Sequence, residues 1–140
     1  MKKAYEHLLD KIKREEEPRN YGLMERSLRL QETHRILLQG VPLGDSRTKP
    51  GISSNQRRFA DFEGESYNYP HLPEPEQMEN AVYAIVEKCS TRFDCCTKEG
   101  LKDFDDFYYV FKTCAWMLFE LLDLHPFGDG NGRLCRILYM

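Results

Sequence analysis

Apolar residues recur at helical spacing in four stretches of the chain. Ala4, Leu8, Leu9 and Ile12 mark one face of an amphipathic helix over residues 4–17, where Pro18 blocks continuation. A second helix is predicted over 23–38 and stops at Gly40. Met78, Ala81, Val82, Ile85, Val86 and Cys89 share a face of a third, with Pro75 near its first turn. The fourth, 101–124, carries Phe104, Phe107, Phe111, Cys114, Ala115, Leu118, Leu121 and Leu122. That surface is broad enough to predict a central helix wrapped by the others, with its aromatics as packing.

Between Gly40 and Pro75 the periodicity stops, and Gly, Pro, Ser, Asn and charged residues take over. A connection this long in a compact domain is read as a binding loop or lid, with room for one short hairpin. No other strand and no internal repeat is visible, so the predicted class is all-α.

The 140 residues and 41% hydrophobic content suit one soluble domain. The net charge of -3 hides an uneven distribution: residues 1–58 hold 13 Lys/Arg against 8 Asp/Glu, and residues 59–129 hold 5 against 15. The basic residues are interleaved with Glu, as on solvated helix faces. The aromatics lie in the acidic half, so the pattern of a nucleic-acid surface is missing. Cys89, Cys95, Cys96, Cys114 and Cys135 lack the spacing of a zinc knuckle or a C-x-x-C centre, and reduced thiols in a cytoplasmic or nuclear setting are expected. The charged, helical start has no signal-peptide pattern, and no stretch reaches the ~18 apolar residues of a membrane span.

The chemistry lies where the fourth helix stops, in His125-Pro126-Phe127-Gly128-Asp129-Gly130-Asn131-Gly132-Arg133, which runs into the apolar stretch 134–140. A loop leading into a helix N-terminus presents unpaired N–H groups and the positive end of the helix dipole. Gly130 and Gly132 let a phosphate approach the backbone, and the Asn131 side-chain amide can donate. Arg133 and Arg136, three apart, can clamp phosphate oxygens. Asp129 is a hard oxygen ligand of the kind nucleotide-bound magnesium takes, and His125 titrates near neutrality and can accept a proton. A calcium loop fails because Arg133 and Arg136 occupy its later ligand positions. A Walker loop fails because G-x-x-x-x-G-K-[ST] is absent. The residues point to phosphate-group transfer.

HPFGDGNGR resembles the Fic signature H-P-F-x-[DE]-G-N-G-R at every specified position, with the second Arg of the longer pattern at Arg136. ETHRILLQGV around His34 resembles the helix end before that family's active-site flap, Gly44-Asp45-Ser46-Arg47-Thr48 the flap's G-x-x-R-T element, and PHLPEP the entry to the next helix. The similarity runs from Gln31 to Met140. It implies a Fic domain core over 31–140, with a hairpin flap at about 41–74 and the signature loop at 125–133, after an N-terminal helical extension over 1–30.

By the same resemblance, the activity is transfer of AMP from ATP to a Ser, Thr or Tyr hydroxyl of a target protein. His125 would be the base and Asp129 the magnesium ligand. Gly130, Asn131 and Gly132 would form the anion hole, and Arg133 and Arg136 would hold the outer phosphates. The partners implied are ATP and a target protein aligned on the flap. Neither nucleic acid nor membrane is expected, and a homodimer is compatible.

Two departures stand out. No inhibitory [ST]-x-x-x-E-[GN] helix is visible, since Pro75 and Cys95 sit where Ser or Thr is needed before Glu79-Asn80 and Glu99-Gly100. The sequence also stops two turns past the signature, where family members continue with further core helices. A fold lacking those helices is expected, with LCRILYM left uncovered. The alternative function is then a catalytically weak nucleotide-binding or protein-interaction module.

Overall fold

A computed structural model of the chain describes residues 2–14, 23–44, 47–97 and 100–138. In chain order the elements are α1 (Lys2–Arg14), α2 (Leu23–Leu37), β1 (Phe59–Phe62), β2 (Glu65–Asn68), α3 (Pro75–Thr97), α4 (Phe104–Leu124) and α5 (Asn131–Leu138). The fold is thus mainly helical with one short hairpin, as expected. The predicted end of the first helix at Pro18 lies outside the described residues. No helix among the described residues is long and apolar enough to cross a membrane.

Each element has a local cause. Asp103 caps α4, its Oδ1 accepting from the Asp106 amide at 3.0 Å. In the hairpin, Glu63 and Gly64 both take positive φ, 51° and 84°, as a two-residue turn between right-twisted strands requires. The antiparallel register pairs Ala60 with Tyr67 and Phe62 with Glu65.

α2 packs against α1, α3 and α5, and α4 packs against α3 and α5. Two apolar clusters result. Leu30, Met78, Val82, Ile85, Val86, Leu121, Leu124 and Cys135 form one; Ala4, Leu37, Leu38, Phe127, Leu134 and Ile137 form the other. α5 is wedged between them, Cys135 on one side and Leu134 and Ile137 on the other. Burial of an aliphatic side chain of this size contributes roughly 1.5–3 kcal/mol, enough to fix where α5 begins. The Cys135 thiol is packed rather than reactive, and burial pushes its pKa up to about 11.

Two expectations about packing reverse. α4 is not wrapped: its apolar residues cover both sides of the helix, and only the side of Thr113, Leu121 and Leu124 is buried. Phe104, Phe107, Tyr108, Phe111, Phe119 and Leu122 are exposed on the other side. Conversely, in the ending expected to be uncovered Leu134, Cys135 and Ile137 are buried, at 3%, 6% and 2% exposed, while Tyr139 and Met140 lie outside the described residues. Ala4, Leu37, Leu38 and Phe127 cover Leu134 and Ile137, and residues of α2, α3 and α4 cover Cys135.

Candidate active site

The signature loop turns sharply out of α4 at His125, whose backbone is left-handed (φ 51°, ψ 57°). Glycine is the usual residue at such a helix end, and a residue with a Cβ costs about 1–2 kcal/mol there. The His125 amide closes the helix on the Leu121 carbonyl at 3.1 Å, and Nδ1 lies 3.3 Å from the Leu122 carbonyl oxygen. With Nδ1–H donating to that carbonyl, the lone pair is on Nε2. Burial lowers the His125 pKa below 6.5, and Arg58 pushes the same way, against the Leu122 carbonyl and Asp129. The side chain is therefore a neutral imidazole near pH 7.

The next residues are held from beneath. Phe127 is 1% exposed, and its ring stacks on His34 with centroids 3.8 Å apart. Pro126 O accepts from the Ser54 amide at 2.7 Å, and Phe127 O accepts from Arg58 Nη1 at 3.2 Å. Asp129 O accepts from His34 Nε2 at 2.7 Å. Three loop carbonyls are thus directed at α2 and the flap. Gly128 lies against Thr48 so closely that a Cβ there would sit 2.7 Å from Thr48 Oγ1. A cavity of about 450 Å³ opens beside this contact, walled by Arg47, Thr48, Lys49, Ser53, Ser54 and Gly128. Asp45 and Ser46 of the flap element lie outside the described residues.

The two signature glycines have different reasons. Gly130 has φ +81°, and a Cβ on it would meet Leu38 Cδ2 at 3.1 Å and His34 Nε2 at 3.2 Å, so the fold itself requires glycine. Gly132, in the first turn of α5, has nothing within 4 Å of its would-be Cβ. A glycine inside a helix costs roughly 0.5–1 kcal/mol relative to alanine, and packing offers no return for it here.

Asn131 is engaged within the loop itself. Its side chain is 2% exposed and closes on one residue, Nδ2 donating to Phe127 O at 2.7 Å and Oδ1 accepting from Phe127 N at 3.0 Å. The amide therefore staples the loop. Asp129 and Arg133 form an ion pair, Oδ1 to Nη2 at 3.0 Å. Arg136 is exposed, and its Nε donates to Gly132 O at 3.2 Å. His125, Asp129, Gly130, Asn131, Gly132, Arg133 and Arg136 are brought together in one loop and helix turn.

The Fic/DOC family model matches residues 26–140. This chain belongs to the Fic/DOC family. Fic proteins generally transfer AMP or other nucleotide-derived groups to proteins and are typically transferases. The ribonucleoside-diphosphate reductase small chain of Ostreid herpesvirus 1 (isolate France) is 29% identical over 117 residues, covering 84% of this chain and 19% of that protein. A Fido domain-containing protein of Dictyostelium discoideum is 33% identical over 64 residues, 46% of this chain and 38% of that protein. The chain therefore spans well under half the length of either relative. No solved structure matches it significantly.

The signature pattern did not name the residues that hold this Fic loop in place: His34, Arg58 and Tyr69. His34 had a signal, since it lies four residues after Leu30 and four before Leu38, both buried, and so falls on the inward face of α2. Arg58 and Tyr69 lie in a segment without periodicity and had none.

Proposed function

We propose that the chain is a protein adenylyltransferase, moving AMP from ATP to a Ser, Thr or Tyr hydroxyl of another protein. The observation that carries this reading is one loop that begins with a neutral imidazole, His125, and ends in the N-terminus of α5, with a glycine at 132 that no packing explains. Close approach of a phosphate accounts for that glycine. The intact Gly130-Asn131-Gly132 favours AMP transfer over the kinase-like relatives, whose loop is altered there.

In this reading, the first-turn amides of α5 receive phosphate oxygens, where the helix dipole favours negative charge. Arg133 and Arg136 exchange Asp129 and the Gly132 carbonyl for the outer phosphates. His125 Nε2 takes the proton from the acceptor hydroxyl as its oxygen bonds to the α-phosphorus. The bond from the α-phosphorus to its bridging oxygen breaks, and pyrophosphate leaves with the electron pair. Positioning and electrostatics account for the acceleration, with a positioned base worth roughly a hundredfold to ten-thousandfold.

Magnesium fits the donors present. This ion takes one or two carboxylates and completes its shell with water and phosphate. Asp129, 39% exposed at the start of α5, is such a donor. Asp129 would hold the ion, and magnesium bound there neutralises phosphate charge.

The test is transfer of label from α-phosphate-labelled ATP to a cell extract, with ATP binding measured separately. His125→Ala is expected to abolish transfer and retain ATP binding. Transfer that persists in His125→Ala contradicts the reading. Loss of ATP binding with transfer would make His125 structural.

A further inference from the structure

The face of the hairpin that meets the end of α4 holds the catalytic residue directly. The register puts Tyr67 on the same face as Ala60, and Tyr69, two residues on, continues that face. Tyr69 N donates to Arg58 O at 3.0 Å, so Arg58 lies across from Tyr69 just before β1. All three side chains reach the C-terminal turn of α4 and the loop after it. The Tyr67 hydroxyl donates to the Asp123 carboxylate. Arg58 donates to the carbonyls of Phe127, Gln56 and Pro70, bridging loop and flap. The Tyr69 ring stacks on the His125 ring, centroids 3.8 Å apart and planes 20° from parallel.

The stack has a mechanical consequence. A histidine on a left-handed backbone, with one 3.3 Å contact from Nδ1 to a carbonyl, would be free to rock about its Cβ–Cγ bond. A ring laid flat on it removes that freedom and covers one face from water. Tyr67 meets Tyr69 edge-on at 5.2 Å and holds the covering ring in turn.

We propose that Tyr69 is a positioning residue for His125: its ring clamps the imidazole so that Nε2, the edge opposite the Leu122 carbonyl, stays presented to the acceptor hydroxyl, and the base is set only when the hairpin is docked. The proposal rests on His125 being the base. The charged and titratable groups that act on the imidazole are Arg58 from the hairpin side and Asp129 from the loop, with the Tyr69 ring stacked on it. Burial is the largest influence on the imidazole, and Tyr69 supplies part of that burial.

The test uses the full chain and two readouts: the NMR titration midpoint of His125, assigned by its loss in His125→Ala, and transfer kinetics. Tyr69→Ala is expected to raise the midpoint toward 6.5 and to lower kcat roughly tenfold to a hundredfold, the scale of a misplaced reacting group, without changing KM for ATP. Tyr69→Phe, which keeps the ring, is expected to match wild type in both. If Tyr69→Ala fails to fold, Tyr69→Leu, apolar but without a flat ring, takes its place. An unchanged midpoint and kcat in the ringless variants overturns the proposal, as does a Tyr69→Phe protein as defective as Tyr69→Ala. A midpoint that shifts as expected in a protein showing no transfer sustains the clamp and removes the adenylyltransferase reading instead.

Discussion

His34 donates through Nε2 to the Asp129 carbonyl oxygen at 2.7 Å, while its Nδ1 accepts from the Gly51 amide at 2.9 Å. The tautomer follows from the partners, because an amide can only donate and a carbonyl can only accept. One buried ring therefore joins α2, the flap and the signature loop, with Phe127 stacked on it. Replacing it with alanine leaves an amide and a carbonyl without their partner and opens a hole beneath the loop. His34→Ala is predicted to cost about 3 kcal/mol, read as a lower urea midpoint.

The same geometry sets a pH dependence. Burial holds His34 below its ordinary 6.5, and His125 is shifted the same way. Below 6.5 the unfolded chain binds protons that the folded chain refuses. The stability linked to these two groups is therefore fully present above pH 6.5 and is lost as pH falls through their folded values. Melting temperature is predicted to fall between pH 7.5 and pH 5.5, and His34→Gln to show a flatter profile over that interval. A wild-type profile that rises on acidification would contradict the assignment of His34 as neutral.

Gly130 and Gly132 are predicted to separate fold from function. Gly130→Ala places a Cβ on a backbone at φ +81° and against Leu38 and His34, so it is predicted to lose about 1–2 kcal/mol or more of stability. Gly132→Ala meets no atom within 4 Å and is predicted to leave stability unchanged or raise it by up to ~1 kcal/mol, while weakening ATP binding. Paired urea unfolding and ATP titration check both. Normal ATP affinity in Gly132→Ala would remove phosphate approach as the reason for that glycine.

Asn131→Asp is predicted to act on the loop rather than through lost side-chain contact with nucleotide. A carboxylate oxygen would face Phe127 O where the amide nitrogen now donates at 2.7 Å. An acceptor against an acceptor in a buried site costs about 1–3 kcal/mol, visible as a lower thermal midpoint.

Much of the site was legible because it is contiguous. Nine consecutive residues carry His125, Asp129, the glycines and Arg133, and their order along the chain fixes their order in space. What supports them was less legible, since His34, Arg58 and Tyr69 reach the loop from 56 to 95 residues away through contacts no local pattern encodes. The partner of the Asn131 side chain was not legible for a related reason: a short amide at a helix start can face outward or into its own loop, and only the closed geometry with Phe127 shows which it does. The exposure of α4 was missed because a helix apolar on both sides looks the same in sequence whether one side or both are covered. The cover of Leu134 and Ile137 was missed because it comes from Ala4, Leu37 and Leu38, far away in sequence.

The most direct measurement of the central claim runs two reactions in parallel, with ATP labelled at the α-phosphate in one and at the γ-phosphate in the other, and follows label bound to protein. Nucleotidyl transfer by His125 predicts that α-label appears on protein, γ-label leaves as pyrophosphate, and His125→Ala abolishes the signal. Protein-bound γ-label, or α-label that survives the loss of His125, would contradict the account.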